Sequence, residues 1–246
     1  MSLLPTVMIH SKISESCAFS GMDEPTQCAD LDHFKNYPGE VYYHYNKRGF
    51  RDLDWPESTD ELKNSIWCIG DSFTKGVGQP WANNWPQRLL AKSGTRTINV
   101  SLDGASNQWI SRMAVDILRQ VQPRNMVIMW SYLHRRESTD TSLGAEDRII
   151  HYINSTSEQD LDLLLECLQQ VKNHEKSTCI VHTAIPLYRP FLNGPDMHTN
   201  DTNEKIQNNT RVIEIINQLD RARDGHHFDR VTADWVVEQV VPQLRL

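Results

Sequence analysis

Five strand-length runs, Ile66–Ile69, Thr97–Val100, Met126–Trp130, Thr178–His182 and Val212–Ile216, alternate with segments whose apolar residues recur at helical spacing. Strand-length runs separated by amphipathic helices read as repeated βαβ units, which assemble into a parallel sheet with helices on both faces. Met126-Val-Ile-Met-Trp130 is apolar throughout, as a central strand covered on both faces requires. The helical segments carry their own punctuation. Asn84 caps a short helix with Pro86 in its first turn and Leu89-Leu90 facing inward, ended by Ser93-Gly94. Ser106 caps a helix that aligns Ile110, Met113, Ile117 and Val121 and stops before Pro123. Ser157 opens a third, with Leu161, Leu164, Leu165, Leu168 and Val171, and a last helix runs from about Arg230 to Val241. The run at Val212 is short enough that a helix would also fit. The expected fold is therefore an α/β, three-layer α/β/α domain with a flavodoxin-like five-stranded parallel sheet of order 2-1-3-4-5.

This domain is expected over residues 61–246, with residues 1–60 as an N-terminal extension packed against it. Periodicity is weak up to about residue 38. Tyr42–Tyr45 then alternates as a strand, and Asn46-Lys47-Arg48-Gly49 turns the chain into Phe50-Arg51-Asp52. Arg51 is expected in a surface ion pair.

Charge and cysteine usage narrow the function. Against 25 Lys and Arg stand 32 Asp and Glu, and no Lys/Arg cluster offsets that excess, so a nucleic-acid partner is not expected. No apolar run is long enough to span a membrane, and the first residues lack a signal-peptide pattern, so the chain reads as cytoplasmic. Five cysteines are scattered without metal-type pairs, which predicts neither a metal site nor a cofactor; Cys68, Cys167 and Cys179 read as small core residues.

The chemistry concentrates in two places. Ser65-Ile-Trp-Cys-Ile-Gly-Asp-Ser-Phe-Thr-Lys-Gly-Val-Gly78 is a strand broken at Gly70, then a turn that lifts Ser72 to the carboxyl edge of the sheet. Ligands bind at that edge in open α/β sheets. A serine there becomes a nucleophile only if a base reaches it. Asp224-Gly225-His226-His227 offers one: a histidine with a pKa of about 6.5 is largely neutral at pH 7, and Asp224 can hold its other ring nitrogen. His226 is the rival base. Asp229 is a rival orienter, although its place before the last helix reads as a cap.

Together, Gly70-Asp71-Ser72 with Phe73-Thr74, and Asp224-Gly225-His226-His227, resemble the first and last blocks of the SGNH (GDSL-type) hydrolase family, in the same order. The resemblance implies Ser72 as nucleophile, His227 as base and Asp224 as its orienter. It also implies an oxyanion hole from the N–H groups of Ser72 and of Gly104, which matches the family's second block. Asn-x-x-Gly-Phe-Arg-Asp, at Asn46–Asp52, looks like segments of SGNH proteins with an N-terminal extension. The third block, Gly-x-Asn-Asp, is missing: the chain reads Trp130-Ser-Tyr-Leu-His-Arg-Arg-Glu137. Ser131, Tyr132, His134 or Asn107 is left to provide the third donor. Candidate substrate contacts are Asp71, Trp81, Trp85, Tyr132 and Arg135, with Arg135-Arg136 bonded to Glu137 as the alternative. The loops Ser131–Ser157 and Pro186–Asn209 are expected to wall the pocket. The activity implied is a serine esterase acting on a small-molecule or glycan ester. An acyltransferase on the same triad, and a binding protein that keeps the fold, are the alternatives.

Overall fold

The structure, a computed structural model, describes residues 14–20, 23–138, 151–152, 157–175, 177–185, 210–215 and 218–246. Its strands are β1 (Ser16–Cys17), β2 (Tyr43–His44), β3 (Ile66–Gly70), β4 (Thr97–Ser101), β5 (Asn125–Trp130), β6 (Arg135–Arg136), β7 (His151–Tyr152), β8 (Cys179–Ala184) and β9 (Val212–Glu214). Five of them form the main sheet in the order β4-β3-β5-β8-β9. All four pairings are parallel, so in order of appearance the strands stand 2-1-3-4-5, as expected. Every residue of β3, β4 and β5 is buried, which explains the nearly continuous apolar character of β3 and β5, whereas β4 alternates polar and apolar residues.

Alternation along the strands sorts the core into two layers. Trp67, Ile69, Val100, Ile128 and Trp130 pack on one face with Ile110 and Ile117 of the helix Asn107–Gln120 and Leu164 and Leu168 of the helix Ser157–Lys172. Ile66, Cys68, Val127 and Met129 face the other way, onto Leu89 of the helix Trp85–Ser93 and Val236 and Val237 of the helix Arg230–Val240. The caps form as their residue types dictate: Asn84 Oδ1 accepts from Gln87 N at 3.0 Å, and Ser106 Oγ accepts from Trp109 N at 3.2 Å. Asp229 holds the N-cap position of the last helix without capping it. Asp220 takes that role, accepting from the N–H groups of Val231 and Thr232, while Asp229 accepts from Tyr37 and Asn83. Cys68 and Cys167 are core residues; Cys179 is only half-buried.

Ahead of the sheet, β1 and β2 pair antiparallel, and Val41, Tyr43 and Tyr45 form a small cluster of their own. Arg51 corrects its expectation. It is fully buried and pairs with no carboxylate among the described residues; its guanidinium donates to the carbonyls of Tyr42, Lys75, Gly76 and Gln79.

Candidate active site

The carboxyl edge of β3 ends in a tight turn that only glycine permits. A Cβ on Gly70 would lie 2.1 Å from Thr74 Oγ1 and 3.0 Å from the carbonyl oxygen of Met129. Asp71 then caps the one-turn helix Ser72–Lys75 by accepting from Phe73 N at 3.0 Å. Ser72 sits at the head of this turn, 1% exposed, and no hydrogen bond joins its hydroxyl to another described residue.

The second element is the turn Asp224–His227, where Gly225 takes φ of 69° and Ala222 N closes the loop on the carbonyl of His227. A left-handed residue there lets a carboxylate and an imidazole three positions apart meet. Asp224 Oδ1 accepts from the N–H groups of His226 and His227 at 3.1 Å each, and Oδ2 lies 2.5 Å from His227 Nδ1. An ionised carboxylate only accepts, so Nδ1 carries the proton and Nε2 of the neutral ring is left as the acceptor. Nε2 is buried and has no hydrogen-bond partner among the described residues, so the bond from Ser72 to His227 is not closed here. Burial pushes His227 toward its neutral form, but the Asp224 carboxylate outweighs it and raises the pKa above the ordinary value. Burial likewise opposes ionisation of Asp224, and the bonds from His227 and the two backbone N–H groups hold its pKa below the usual carboxylate range. His226 goes the other way, pushed down to about 4 by burial and by the neighbouring His227. The adjacent histidines are thus distinguished: of the two, His227 alone bonds to Asp224 through its ring.

The two turns are docked together at Gly78. Its φ is 73°, and a Cβ would come within 3.0 Å of Ala222 Cβ and 3.2 Å of the nitrogens of Arg223 and Asp224. Arg223 N donates to Gly78 O at 3.0 Å, and the Gln79 side chain donates to the carbonyl of Phe228. Phe73, next to Ser72, packs its ring 4.5 Å from that of His227.

The residues expected to donate to an oxyanion are placed as follows. The N–H of Ser72 opens a helix and that of Gly104 (φ of 71°) follows β4; neither donates to a described residue. Asn107 is committed elsewhere: its Oδ1 accepts from Ser131 N at 2.8 Å and its Nδ2 donates to Ser131 O at 3.1 Å. Asp71, an expected substrate contact, is fully buried and accepts from Ser131 Oγ and from Arg135 Nη1, both at 2.7 Å. The expected pairing of Arg135-Arg136 with Glu137 is likewise replaced. Arg135 bonds Asp71, Arg136 bonds Asp160 at 2.6 Å, and Glu137 takes Arg112. Tyr132 is buried between Phe73, edge-on, and the Arg135 guanidinium over its face, with His134 stacked beside it. Trp85 is a core residue bonded to Thr74, whereas Trp81 is half-buried near Arg51.

Most of both expected wall loops, residues 139–150, 153–156 and 186–209, lies outside the described residues. A cavity of about 670 Å³ opens at the opposite, amino end of the sheet, beside Ser65 and Asn125, away from Ser72. Among the described residues no group of three or more His, Cys, Asp or Glu is placed to hold a metal ion. Sequence reasoning missed Asp23, Tyr43 and Arg223, which brace the two turns; only the Arg51 segment carried a hint of this.

No family model matches the chain, and no curated protein matches it. Solved structures are similar to it at low identity. The psychrotrophic esterase EstA from a Pseudoalteromonas species is 15% identical, covering 73% of this chain and 96% of that one at a TM-score of 0.49. A member of the lipolytic protein G-D-S-L family from Veillonella parvula DSM 2008 is 16% identical, with 73% and 99% covered and a TM-score of 0.47. A Clostridium thermocellum family 3 carbohydrate esterase is 14% identical, with 73% and 94% covered and a TM-score of 0.43. Likeness at this level concerns the course of the chain; the site is read from its own residues.

Proposed function

We propose that the protein is a serine esterase that cleaves a carboxylic ester through an acyl-enzyme. Ser72 Oγ attacks the ester carbonyl as its proton passes to His227 Nε2, and the carbonyl π electrons move onto oxygen. The N–H groups of Ser72 and Gly104 donate to that oxyanion, a contribution of roughly 10²–10³ in rate for each good donor. Collapse expels the alcohol, which takes the proton from His227, and leaves the acyl group on Ser72. Water attacks with His227 again as base, releasing the carboxylic acid. Asp224 keeps Nδ1 protonated throughout and stabilises the imidazolium.

The observation that carries this reading is the state of His227. One ring nitrogen is held by Asp224, the other is buried with no partner among the described residues, and the ring lies against the residue beside Ser72. Most buried polar atoms of purely structural side chains are hydrogen-bonded. A second reading, a binding protein on the same fold, is favoured by one fact: Asn107 is tied to the Ser131 backbone.

Labelling with a fluorophosphonate, followed by peptide mapping, separates the two. Covalent capture at Ser72 is expected in the wild type and is lost in Ser72→Ala and His227→Ala. A folded wild-type protein that is not captured at Ser72 overturns the esterase reading in favour of the binding protein.

A further inference from the structure

The segment ahead of the sheet puts a buried cation and a buried phenol directly behind the Ser72 turn. Arg51 is 1% exposed, and no carboxylate pairs with it among the described residues. Its Nη1 donates to Lys75 O at 3.1 Å and to Gly76 O, and its Nη2 donates to Gln79 O at 2.7 Å and Tyr42 O at 2.9 Å. Lys75 and Gly76 close the one-turn helix that Ser72 opens. Tyr43 stacks under the guanidinium at 4.2 Å, and its hydroxyl accepts from Gly78 N at 2.7 Å. That hydroxyl also donates to Asp23 Oδ2 at 2.6 Å, and Asp23 is held by two bonds of 2.7 Å from Arg223. Arg223 N returns to Gly78 O. The ring Gly78–Tyr43–Asp23–Arg223–Gly78 is therefore closed, and Arg223 is the neighbour of Asp224.

Burying a guanidinium without a carboxylate is costly, and filling the space would need only a Leu or Met. What Arg51 adds is several N–H groups in a rigid fork, aimed at three carbonyls of one loop and a fourth of the brace. Transfer from Ser72 to His227 is sensitive to displacements of about 1 Å. A clasp on residues 75–79 that reaches Arg223 through Tyr43 and Asp23 fixes the one turn against the other. We propose that Arg51 and Tyr43 are positioning residues for Ser72, holding its turn in register with Asp224–His227; this rests on Ser72 being the nucleophile.

The test uses the full chain, with Tyr43→Phe, which keeps the ring and removes one hydroxyl, and Arg51→Lys, which keeps the charge and loses the fork. Hydrogen exchange over residues 72–79 is read beside the rate of fluorophosphonate capture at Ser72. Expected in both variants is exchange about tenfold faster over 72–79 with β5 unchanged, and capture at least about tenfold slower. The loss should fall on the maximal rate of capture and leave the half-saturating concentration alone. A merely structural role would lower Tm and leave the capture rate of the folded molecules at the wild-type value, which overturns the proposal. Unchanged exchange in Tyr43→Phe overturns it too, even if Arg51→Lys fails to fold. A wild type that is never captured sinks the nucleophile reading and the proposal with it, and is told apart because the other failures leave wild-type capture intact.

Discussion

His226 and His227 are adjacent, yet their surroundings drive them apart. His226, with a pKa of about 4, is neutral in the folded protein, whereas in the unfolded chain it takes up a proton below about 6.5. Stability is therefore lost as pH falls from about 6.5 toward 4, on the order of 3 kcal/mol at most. His226→Gln should remove part of that loss, so the Tm difference from wild type grows between pH 7 and pH 5. His227 has the opposite sign. Its raised pKa contributes stability that is complete below about 6.5 and is lost as pH rises through the folded value. The same shift sets activity: kcat/KM should rise with pH through a value above 6.5, where His227 loses its proton. Asp224→Asn should move that limb down and lower kcat by on the order of 10⁴, the cost of a wrong tautomer. A profile whose limb stayed put in Asp224→Asn would show that another group is titrating. Arg135 gives a third test at this scale. Arg135→Met strands the Asp71 carboxylate in the interior, and urea unfolding should report a loss of about 3–5 kcal/mol.

Among the elements, the docked turns matter most. Gly78 and Gly94 both sit in the left-handed region, at φ of 73° and 69°, but Gly94 has open space around its Cβ position and Gly78 faces the Ala222–Asp224 backbone. Gly94→Ala should cost about 1–2 kcal/mol, the backbone term alone. Gly78→Ala should cost more and should also slow capture at Ser72, because the 222–224 segment must move. Equal losses in urea unfolding would mean that the contact at Gly78 is soft. Much of this scale was legible beforehand. Strands and helices emerged because a two-residue period or a 3.6-residue period is local, and the caps at Asn84 and Ser106 answer to residues only three positions away. Asp229 failed as a cap because Asp220, nine residues earlier, reaches the same N–H groups.

Over the whole molecule, the N-terminal segment is tied to the sheet domain by buried charge. Arg223 and Asp23 are 200 positions apart in sequence, and Arg51 spans 28 positions to Gln79. Tryptophan fluorescence and exchange at β2 should therefore lose structure in one urea transition with the main sheet. An earlier, separate transition of residues 14–52 would show that these ties are weak.

By itself the sequence determined the βαβ alternation, the serine at the end of β3 and the spacing of Asp224 from His227. Each follows from local periodicity, from turn chemistry or from a three-residue reach, and needs no partner from elsewhere in the chain. Only the tertiary structure decided which opposite charges met. Asp71 took Arg135 across 64 positions, Arg136 took Asp160, Glu137 took Arg112, and Arg51 took backbone carbonyls in place of a carboxylate. Charges attract without regard to sequence distance, and any of several neighbours would satisfy each one. The choice among them is made by the packing that brings particular pairs within about 3 Å.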